Sequence, residues 1–298
     1  MGMADVVPGV SGGTIAFISG IYEELIDSIR SVDATALRLL ARLRLGELWR
    51  HVNGRFLLPV LTGIAIAVFS LARLMTYLLE HHPIEIWSFF FGLIVASALL
   101  VSKQIGRWDW RTAAALAVGA AAAWWITVAT PTETPNDWWF VMLSGAVAIC
   151  AMILPGISGA FILLLLGKYQ YIMQAVGDLN IPVIAIFAVG AAAGIISFSH
   201  LLSWLLKRWH DVTVAVLMGF MVGSLNKVWP WKETVETYTD SHGVLQPLVE
   251  RNIAPGHFEA LYDKPSLLAE AVLLCAAGFL AIYGIELLAR IVLKKREE

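Results

Sequence analysis

Six uninterrupted apolar stretches determine what kind of molecule this chain can form. They are Phe56–Leu79, Ile84–Val101, Thr112–Thr130, Ile181–Leu206, Val212–Trp229 and Leu267–Leu293. Each is long enough for a helix to cross the hydrocarbon core of a bilayer, which takes about 20 residues. The chain is 58% hydrophobic and 15% charged, a composition that excludes an ordinary soluble domain. The sequence therefore predicts an all-α integral membrane protein, and its 12 Trp residues suit the aromatic belts at the membrane surfaces.

The remaining composition excludes several other functions. A net charge of -2 gives no reason to expect a nucleic-acid partner. Cys150 and Cys275 both lie inside apolar runs without the spacing of a zinc site, so we expect them to pack as small apolar side chains. The first residues lack the basic region of a cleaved signal peptide. No metal or other cofactor is expected.

Two further apolar segments are broken in the middle by residues that a helix does not tolerate. They read VVPGVSGGTIAFISGIYEELI at residues 6–26 and ILPGISGAFILLLLGKYQYIM at residues 153–173. Backbone groups inside a bilayer must be hydrogen-bonded, so a break is tolerated only where it is buried in protein or lines a polar cavity. We therefore predict that both segments are re-entrant helical hairpins rather than ordinary spans.

The two broken segments belong to an internal repeat. At an offset of 147 the shared positions pair Pro8 with Pro155, Gly9 with Gly156, Ser11 with Ser158, Gly12 with Gly159, Gly20 with Gly167 and Tyr22 with Tyr169. At an offset of 127, SLARLMTYLL pairs with SFSHLLSWLL and GLIVAS pairs with GFMVGS. The difference in offset is explained by the basic, Leu-rich segment 30–55, which predicts a helix on the membrane surface. The polar loop 230–265 is expected outside the bilayer and only partly ordered.

The repeat predicts two halves, residues 1–130 and 131–298, each with one re-entrant hairpin and three spans. An odd number of spans per half makes the halves inverted relative to each other. With re-entrant hairpins, most of the 21 basic residues and both termini fall on the cytoplasmic side, and Lys168 falls outside. If both segments crossed fully, Lys207 and Arg208 would lie outside, against that bias. Inverted repeats with broken helices that meet near the midplane are an architecture of secondary transporters.

The composition of the breaks suggests an anion site. Proline ends a helical limb, glycine allows close approach to the backbone, and hydroxyl groups can cap the next limb or donate hydrogen bonds. Free N–H groups at a helix start attract a phosphate. The candidate binding residues are Pro8, Gly9, Ser11, Gly12, Gly13, Thr14, Pro155, Gly156, Ser158 and Gly159. The alternative interpretation is a tight turn with an N-cap that only fills space between helices.

Ionisable residues near or within the membrane provide the second set of candidates, because such residues are costly there. Arg73 and His200 occupy equivalent positions in the repeat and could offer a fixed and a titratable charge to a phosphate. Asp5 and Glu23 flank the first hairpin and, with His200, are candidates for proton coupling. The alternatives are that Arg73 reaches to the interface along its own helix and that the acids are solvated at the membrane edge.

The motifs ADVVPGVSGGTIAFISGIYEELI and AMILPGISGAFILLLLGKY, with the GLIVAS/GFMVGS pair, resemble the bacterial polyprenyl-phosphate transporter family over essentially the whole chain. The resemblance implies a protein of the bacterial inner membrane that returns undecaprenyl phosphate between leaflets, recycling the carrier lipid for envelope glycans such as peptidoglycan. It also implies that the residues of the two broken motifs line the head-group site. Family members usually carry a further apolar limb ahead of the first motif, equivalent to 138–154.

The function predicted from the sequence is therefore translocation of a lipid phosphate by a transporter that is not an enzyme. A transporter or channel for a small anion would use the same cradle, and a membrane lipid phosphatase or transferase would need a nucleophile or metal beside it. A non-catalytic scaffold gives no reason for two costly breaks in the bilayer. The coupling ion, the polyprenyl chain length and a homo-oligomeric state stay open at this point.

Overall fold

The computed structural model describes residues 12–132, 134–239 and 245–297. In the first half of the chain the helices are α1 (Gly12–Ile18), α2 (Tyr22–Arg30), α3 (Ala34–Ala41), α4 (Leu45–His51), α5 (Gly54–His81), α6 (Pro83–Ser102) and α7 (Trp110–Val128). The second half has α8 (Trp138–Ile153), α9 (Gly159–Leu165), α10 (Tyr169–Gly177), α11 (Ile181–Arg208), α12 (His210–Ser224), β1 (Lys232–Thr239), β2 (Leu245–Asn252), α13 (Pro255–Tyr262) and α14 (Leu268–Glu297).

All six predicted spans form helices. By length and composition α6, α7 and α11 can cross a bilayer. In α5, α12 and α14 the apolar part found within the described residues is shorter, at 54–67, 210–224 and 268–284. Helices α7 and α11 turn most of their apolar side chains outward, as lipid-facing helices do. The helices therefore agree with the prediction of a helical membrane protein.

Helices α7 and α12 lie side by side and run in the same direction. Before α7, the backbone N–H groups of Gly106 and Arg107 donate to the carboxylate of Asp211 at the start of α12, at 3.2 and 3.0 Å. After α12, the side-chain amide of Asn226 donates to Oγ1 of Thr127 near the end of α7, at 2.8 Å. We call the first end of the bundle, with residues 23–30, 103–111 and 203–211, the basic end. The opposite end, with residues 124–132, 134–136, 224–239 and 245–266, is the hairpin end.

Close backbone contacts hold this pair and a second helix pair, α6 with α14. A side chain at Gly219 in α12 would overlap the carbonyl oxygen of Leu116 in α7. A side chain at Gly92 in α6 would likewise overlap the carbonyl oxygen of Cys275 in α14. In a membrane, small residues stabilise helix pairs because they let the backbones approach and gain van der Waals contact. Gly92 and Gly219 are the first residues of the paired GLIVAS and GFMVGS blocks.

The basic segment after α2 forms two short helices rather than the single surface helix that the sequence predicted. Asp33 caps α3 by accepting hydrogen bonds from the backbone N–H groups of Thr35 and Ala36. The chain reverses at Leu43, which has a φ of 55°, and α4 follows. A residue with a left-handed φ cannot continue a right-handed helix, and leucine rarely adopts this φ because its Cβ crowds the next carbonyl. The apolar periodicity of LRLLARLRL does not reveal such a break.

The loop 230–265, expected to be only partly ordered, contains an antiparallel β-hairpin and the helix α13. The register pairs Lys232 with Asn252 and is irregular around Glu236. Two tryptophans anchor the strands to the bundle: Nε1 of Trp229 donates to the carbonyl oxygen of Ile253 at 2.9 Å, and Nε1 of Trp231 donates to that of Ser266 at 2.8 Å.

Helices α9 and α10, which follow the second break, meet at an angle of 110°. The turn between them is fixed by Lys168, whose ammonium group donates to the carbonyl oxygen of Thr134 at 2.6 Å and to Oδ1 of Asn136 at 2.7 Å. Lys168 is almost completely buried, with 1% of its surface exposed. Lys168 therefore holds the turn between α9 and α10 against the loop that precedes α8, at the hairpin end.

Candidate functional site

The second broken motif lies inside the bundle between α8 and α9. Pro155 and Gly156 are buried, and Gly156 has a φ of +89°, which favours glycine. A Cβ at Gly156 would also lie 2.7 Å from Oγ of Ser224. Ser158 precedes α9 with an extended backbone and makes no cap hydrogen bond through its side chain, so its half-buried hydroxyl group is available to another acceptor or donor.

The two broken motifs touch each other, although they are far apart in sequence. The backbone N–H of Gly156 donates to Oγ1 of Thr14 at 3.1 Å, and Thr14 is completely buried. The hydroxyl group of Tyr22, after the first motif, donates to the carbonyl oxygen of Ile153 at 3.2 Å. Gly12 and Gly13 begin α1 and are buried with Thr14. In this arrangement the Gly156 amide is occupied by protein, so a ligand can reach it only if the two motifs separate.

Two buried serines at equivalent positions of the repeat were not among the predicted site residues. Ser224, at the end of α12, is fully buried next to Gly156, and its hydroxyl group donates to the carbonyl oxygen of Met221 at 2.8 Å. Ser97 is its partner in the repeat; it is also fully buried and donates to the carbonyl oxygen of Leu93 at 2.6 Å. The signal in the sequence was present, because both residues end the matched blocks GLIVAS and GFMVGS.

The remaining predicted site residues lie on other helices or are not described. Asp5, Pro8, Gly9 and Ser11 lie outside the described residues. Arg73 belongs to α5. His200 is exposed on α11, with Nδ1 2.9 Å from the carbonyl oxygen of Ile196. Roles for these residues in binding or coupling therefore stay predictions.

Glu23 lies in a polar network at the basic end. Its Oε1 is 3.4 Å from Nε2 of His210, and Nδ1 of His210 is 3.3 Å from Oδ1 of Asp211. Nearby, Asp27 of α2 accepts from Lys207 at 2.8 Å and from the hydroxyl group of Ser203 at 2.7 Å. These contacts join the helix after the first broken motif to α11 and α12.

The fold and the buried contact between broken segments define a helical membrane protein. Comparison with known proteins makes the identification more specific. Residues 1–246 match the family described as undecaprenyl phosphate translocase-like, and the chain belongs to that family.

Two curated relatives carry the name polyprenyl-phosphate transporter. The protein from Vibrio cholerae is 46% identical over 286 residues, which cover 96% of this chain and 93% of the relative. The protein from Staphylococcus aureus is 33% identical over 248 residues, covering 77% of this chain and 83% of the relative. No solved structure matches the chain. Both names describe those proteins as transporters of polyprenyl phosphate.

Proposed function

We propose that this protein is a translocase that moves undecaprenyl phosphate, or another polyprenyl phosphate, between the leaflets of the bacterial cytoplasmic membrane. The observation that carries the proposal is the hydrogen bond between Thr14 and Gly156, which joins the two broken motifs inside the bundle. A membrane protein gains nothing from two buried breaks unless they serve a polar ligand. The family and the names of the two relatives point to a lipid phosphate as that ligand.

The proposed architecture is an inverted repeat of two re-entrant hairpins and two sets of three spans. The matched blocks GLIVAS and GFMVGS pair α6 with α12, and the order of the spans in each half then pairs α7 with α14. If the two halves are exchanged, the helix pair α7–α12 is converted into the pair α14–α6. Both pairs are in contact in the structure. Gly92 and Gly219, which correspond to each other, make the close backbone contact in each pair. This exchange of partners supports a two-fold relation between the halves.

In the proposed substrate complex the motifs separate and the phosphate takes the place of their mutual contact. The Gly156 amide would turn from Thr14 to a phosphate oxygen, and the hydroxyl groups of Thr14, Ser158 and Ser11 would donate to the same group. Such hydrogen bonds are strong when the acceptor is charged and the surroundings exclude water. Arg73 would supply the positive charge. The polyprenyl tail would remain in the lipid.

Transport requires no covalent step. The head group would be exposed first to one leaflet and then to the other as the hairpin-bearing elements move against the rest of the bundle. We propose proton coupling through Glu23, which contacts His210, with Asp5 and His200 as further candidates. Protonation of Glu23 would weaken its contact with His210 and loosen the basic end around the first hairpin.

The function is tested directly with purified protein in proteoliposomes. Labelled undecaprenyl phosphate in the inner leaflet should become accessible to a membrane-impermeant quencher faster than in liposomes without protein. An unchanged rate, with and without a pH gradient, would contradict the proposal. Conductance of chloride or inorganic phosphate would favour a small-anion channel instead, and release of inorganic phosphate from the lipid would favour a phosphatase.

The site is tested by the double substitution Ser11→Ala and Ser158→Ala. We expect weaker binding of undecaprenyl phosphate, because each serine would lose one hydrogen bond to a charged group. Ser197→Ala is the matched control, since Ser197 is exposed on α11. Unchanged affinity in the double variant would favour the interpretation of the motif as a tight turn.

The orientation is tested by cysteine labelling from each side of the membrane. We propose that the basic end is cytoplasmic and the hairpin end is extracytoplasmic. Lys168 is a poor probe because it is buried, whereas Lys264 and Arg107 are exposed at the hairpin end and the basic end. Lys264→Cys should react with an impermeant maleimide from outside and Arg107→Cys only from inside. The reverse pattern would overturn the orientation.

A further inference from the structure

A cavity of about 420 Å³ lies at the hairpin end, beneath the β-hairpin. Its walls come from the ends of α7 and α12, from α9 and from both strands. Trp124 and Val128 of α7 and Phe161 and Leu165 of α9 form an apolar part of the lining, which we call the apolar wall. The α12–β1 connection and the strands add charged residues. The cavity thus combines apolar and charged lining residues.

The charges in this cavity do not balance. The ammonium groups of Lys227 and Lys232 lie 2.9 and 3.4 Å from the same oxygen, Oε2 of Glu250, and Arg251 also lines the cavity. Two lysines carry six N–H donors, and one carboxylate oxygen cannot satisfy them. A structural ion pair would need only one of the lysines, so the second is a surplus cation in a largely desolvated place.

The protein stabilises these cations without neutralising them. The Lys227 ammonium lies 4.8 Å from the ring centre of Phe161, and that of Lys232 lies 4.4 Å from the ring of Trp87. Aromatic faces attract cations most strongly where water is excluded. Burial lowers the pKa of Lys232 to about 8, while Glu250 opposes that shift. Lys232 is therefore largely protonated at pH 7 and its charge is available to an anion.

The apolar wall indicates which anion fits. Trp124 and Val128 are exposed on α7, a helix that turns its apolar side chains outward. A free inorganic ion would gain no binding energy from apolar side chains. A phosphate ester with an isoprenoid tail would place its phosphate on the lysines and its first isoprene units against the aromatic rings. Phe161 and Leu165 belong to α9, which follows the second broken motif, so an occupant would touch the helix that carries Gly159.

We propose that this cavity is a second binding site, which takes the phosphate head group of a polyprenyl phosphate at the hairpin end before the head group reaches the two broken motifs. Lys227 and Lys232 bind the phosphate, and Glu250 holds them in place when the cavity is empty. The proposal rests on the proposed function for the identity of the lipid. It adds a site, distinct from the breaks, that sets the affinity for loading from one leaflet.

Two substitutions with opposite expected effects test this site in the full-length protein in nanodiscs, with farnesyl phosphate as the probe. Lys227→Gln removes a cation and should weaken binding about tenfold, the typical scale for one partly buried charged contact. Glu250→Gln removes the competing carboxylate and should tighten binding several-fold. A gain of affinity cannot arise from misfolding. Unchanged affinity in both variants would overturn the proposal.

Matched controls separate charge from structure. Lys227→Arg keeps the charge and should bind nearly as well as the natural protein. Lys264→Gln removes an exposed lysine from the same end of the molecule and should leave binding unchanged. A loss in Lys264→Gln equal to that in Lys227→Gln would indicate only a general attraction of anions to this end, and would contradict a built site.

Two further probes identify the ligand chemistry. Inorganic phosphate should bind more weakly than farnesyl phosphate, and farnesol should not compete. If inorganic phosphate binds equally well, the cavity is a site for the free anion and the head-group assignment is wrong. If the natural protein moves no lipid in proteoliposomes but Lys227 still governs binding, the proposed function fails and the site stands. If Lys227→Gln binds farnesyl phosphate with the same affinity as the natural protein and moves lipid at the same rate, the cavity is not a binding site, and the proposed function stands.

Discussion

The two ends of the helical bundle place their charges in different surroundings. At the basic end, Lys207 and Asp27 form an ion pair whose side chains are 57% and 43% exposed. At the hairpin end, Lys232 and Glu250 are 9% and 21% exposed, and Lys168 is buried in hydrogen bonds to the loop before α8. The ion pair at the basic end is largely solvated, whereas these three charged side chains at the hairpin end are mostly buried.

The difference in exposure determines at which end the charges contribute most to stability and to ligand binding. Exposed ion pairs contribute about 0–1 kcal/mol because water and salt screen them, so the basic end can form and break contacts at little cost as helices move. Buried charges are costly to leave unpaired, about 3–5 kcal/mol when one partner is removed. We therefore expect the hairpin end to remain rigid and to bind ligands by charge, and the basic end to be the more easily rearranged.

The largest expected effect is at Glu250. Glu250→Gln leaves Lys227 and Lys232 without their shared carboxylate, and we expect a loss of about 3 kcal/mol in unfolding free energy. Thermal denaturation of the purified protein measures the loss. Added farnesyl phosphate should restore more stability to this variant than to the natural protein, because the phosphate would replace the missing negative charge. Equal stability of both proteins without ligand would show that this end is not built around the ion cluster.

Lys168 gives the next largest effect. Lys168→Met removes two charged hydrogen bonds, to Thr134 and Asn136, and we expect a loss of about 2 kcal/mol. Lys207→Met at the basic end is the matched comparison and should cost less than about 1 kcal/mol. Equal melting temperatures for the two variants would contradict the expectation that charged contacts contribute more to stability at the hairpin end than at the basic end.

The hairpin end should also respond to alkaline pH. Because the pKa of Lys232 is lowered from 10.5 to about 8 in the folded protein, the unfolded chain binds more protons than the folded chain between those values. The stability of the ligand-free protein should therefore rise as pH increases from 8 towards 10. Anion affinity should fall over the same range, as Lys232 loses its charge. The charged groups facing Lys232 are Glu250 and Lys227.

Lys232→Arg provides the control for this pH dependence, because a guanidinium group stays protonated throughout the range. The rise in stability and the fall in affinity should both disappear in this variant. Melting curves and farnesyl phosphate titrations at pH 7.5 and 9.5 measure both quantities. A natural protein with the same affinity at the two pH values would contradict a role for the Lys232 charge in binding.

The smallest effect is expected at Asp27. Asp27→Asn removes an exposed partner of Lys207 and should lower stability by less than about 1 kcal/mol. If the basic end rearranges during transport, the same substitution should change the rate of lipid movement more than it changes the melting temperature. A loss of stability as large as that of Glu250→Gln would contradict the expected difference in stability between the two ends.

The sequence predicted the helices well because an apolar run long enough to span a bilayer has few other stable conformations. It did not predict the β-hairpin, although KETVETYT carries β-branched residues in partial alternation, because the charged residues suggested a solvated loop. It also missed the ion cluster, since Lys232 and Glu250 are 18 residues apart in the chain and only the pairing of the two strands brings them together.

That the residues of the two broken motifs bind a head group stays a prediction. The repeated Pro-Gly and Ser-Gly positions pointed to two breaks, and the structure brings Thr14 and Gly156 into contact. The sequence did not indicate that the Gly156 amide would already be hydrogen-bonded to Thr14, because the partner of a backbone amide depends on tertiary packing. His200 is exposed on α11, and its place in the repeat could not reveal which face of that helix it occupies.

Photo-crosslinking is the most direct way to test whether a lipid phosphate binds between the two broken motifs, as we propose. A polyprenyl phosphate with a photoactivatable group next to the phosphate would be bound to the protein in nanodiscs, irradiated, and located by mass spectrometry of the peptides. We expect labelled residues on both sides of the contact, around Thr14 and around Gly156 and Ser158. Labels confined to the cavity beneath the β-hairpin, or to the outer faces of α7 and α11, would contradict the proposal.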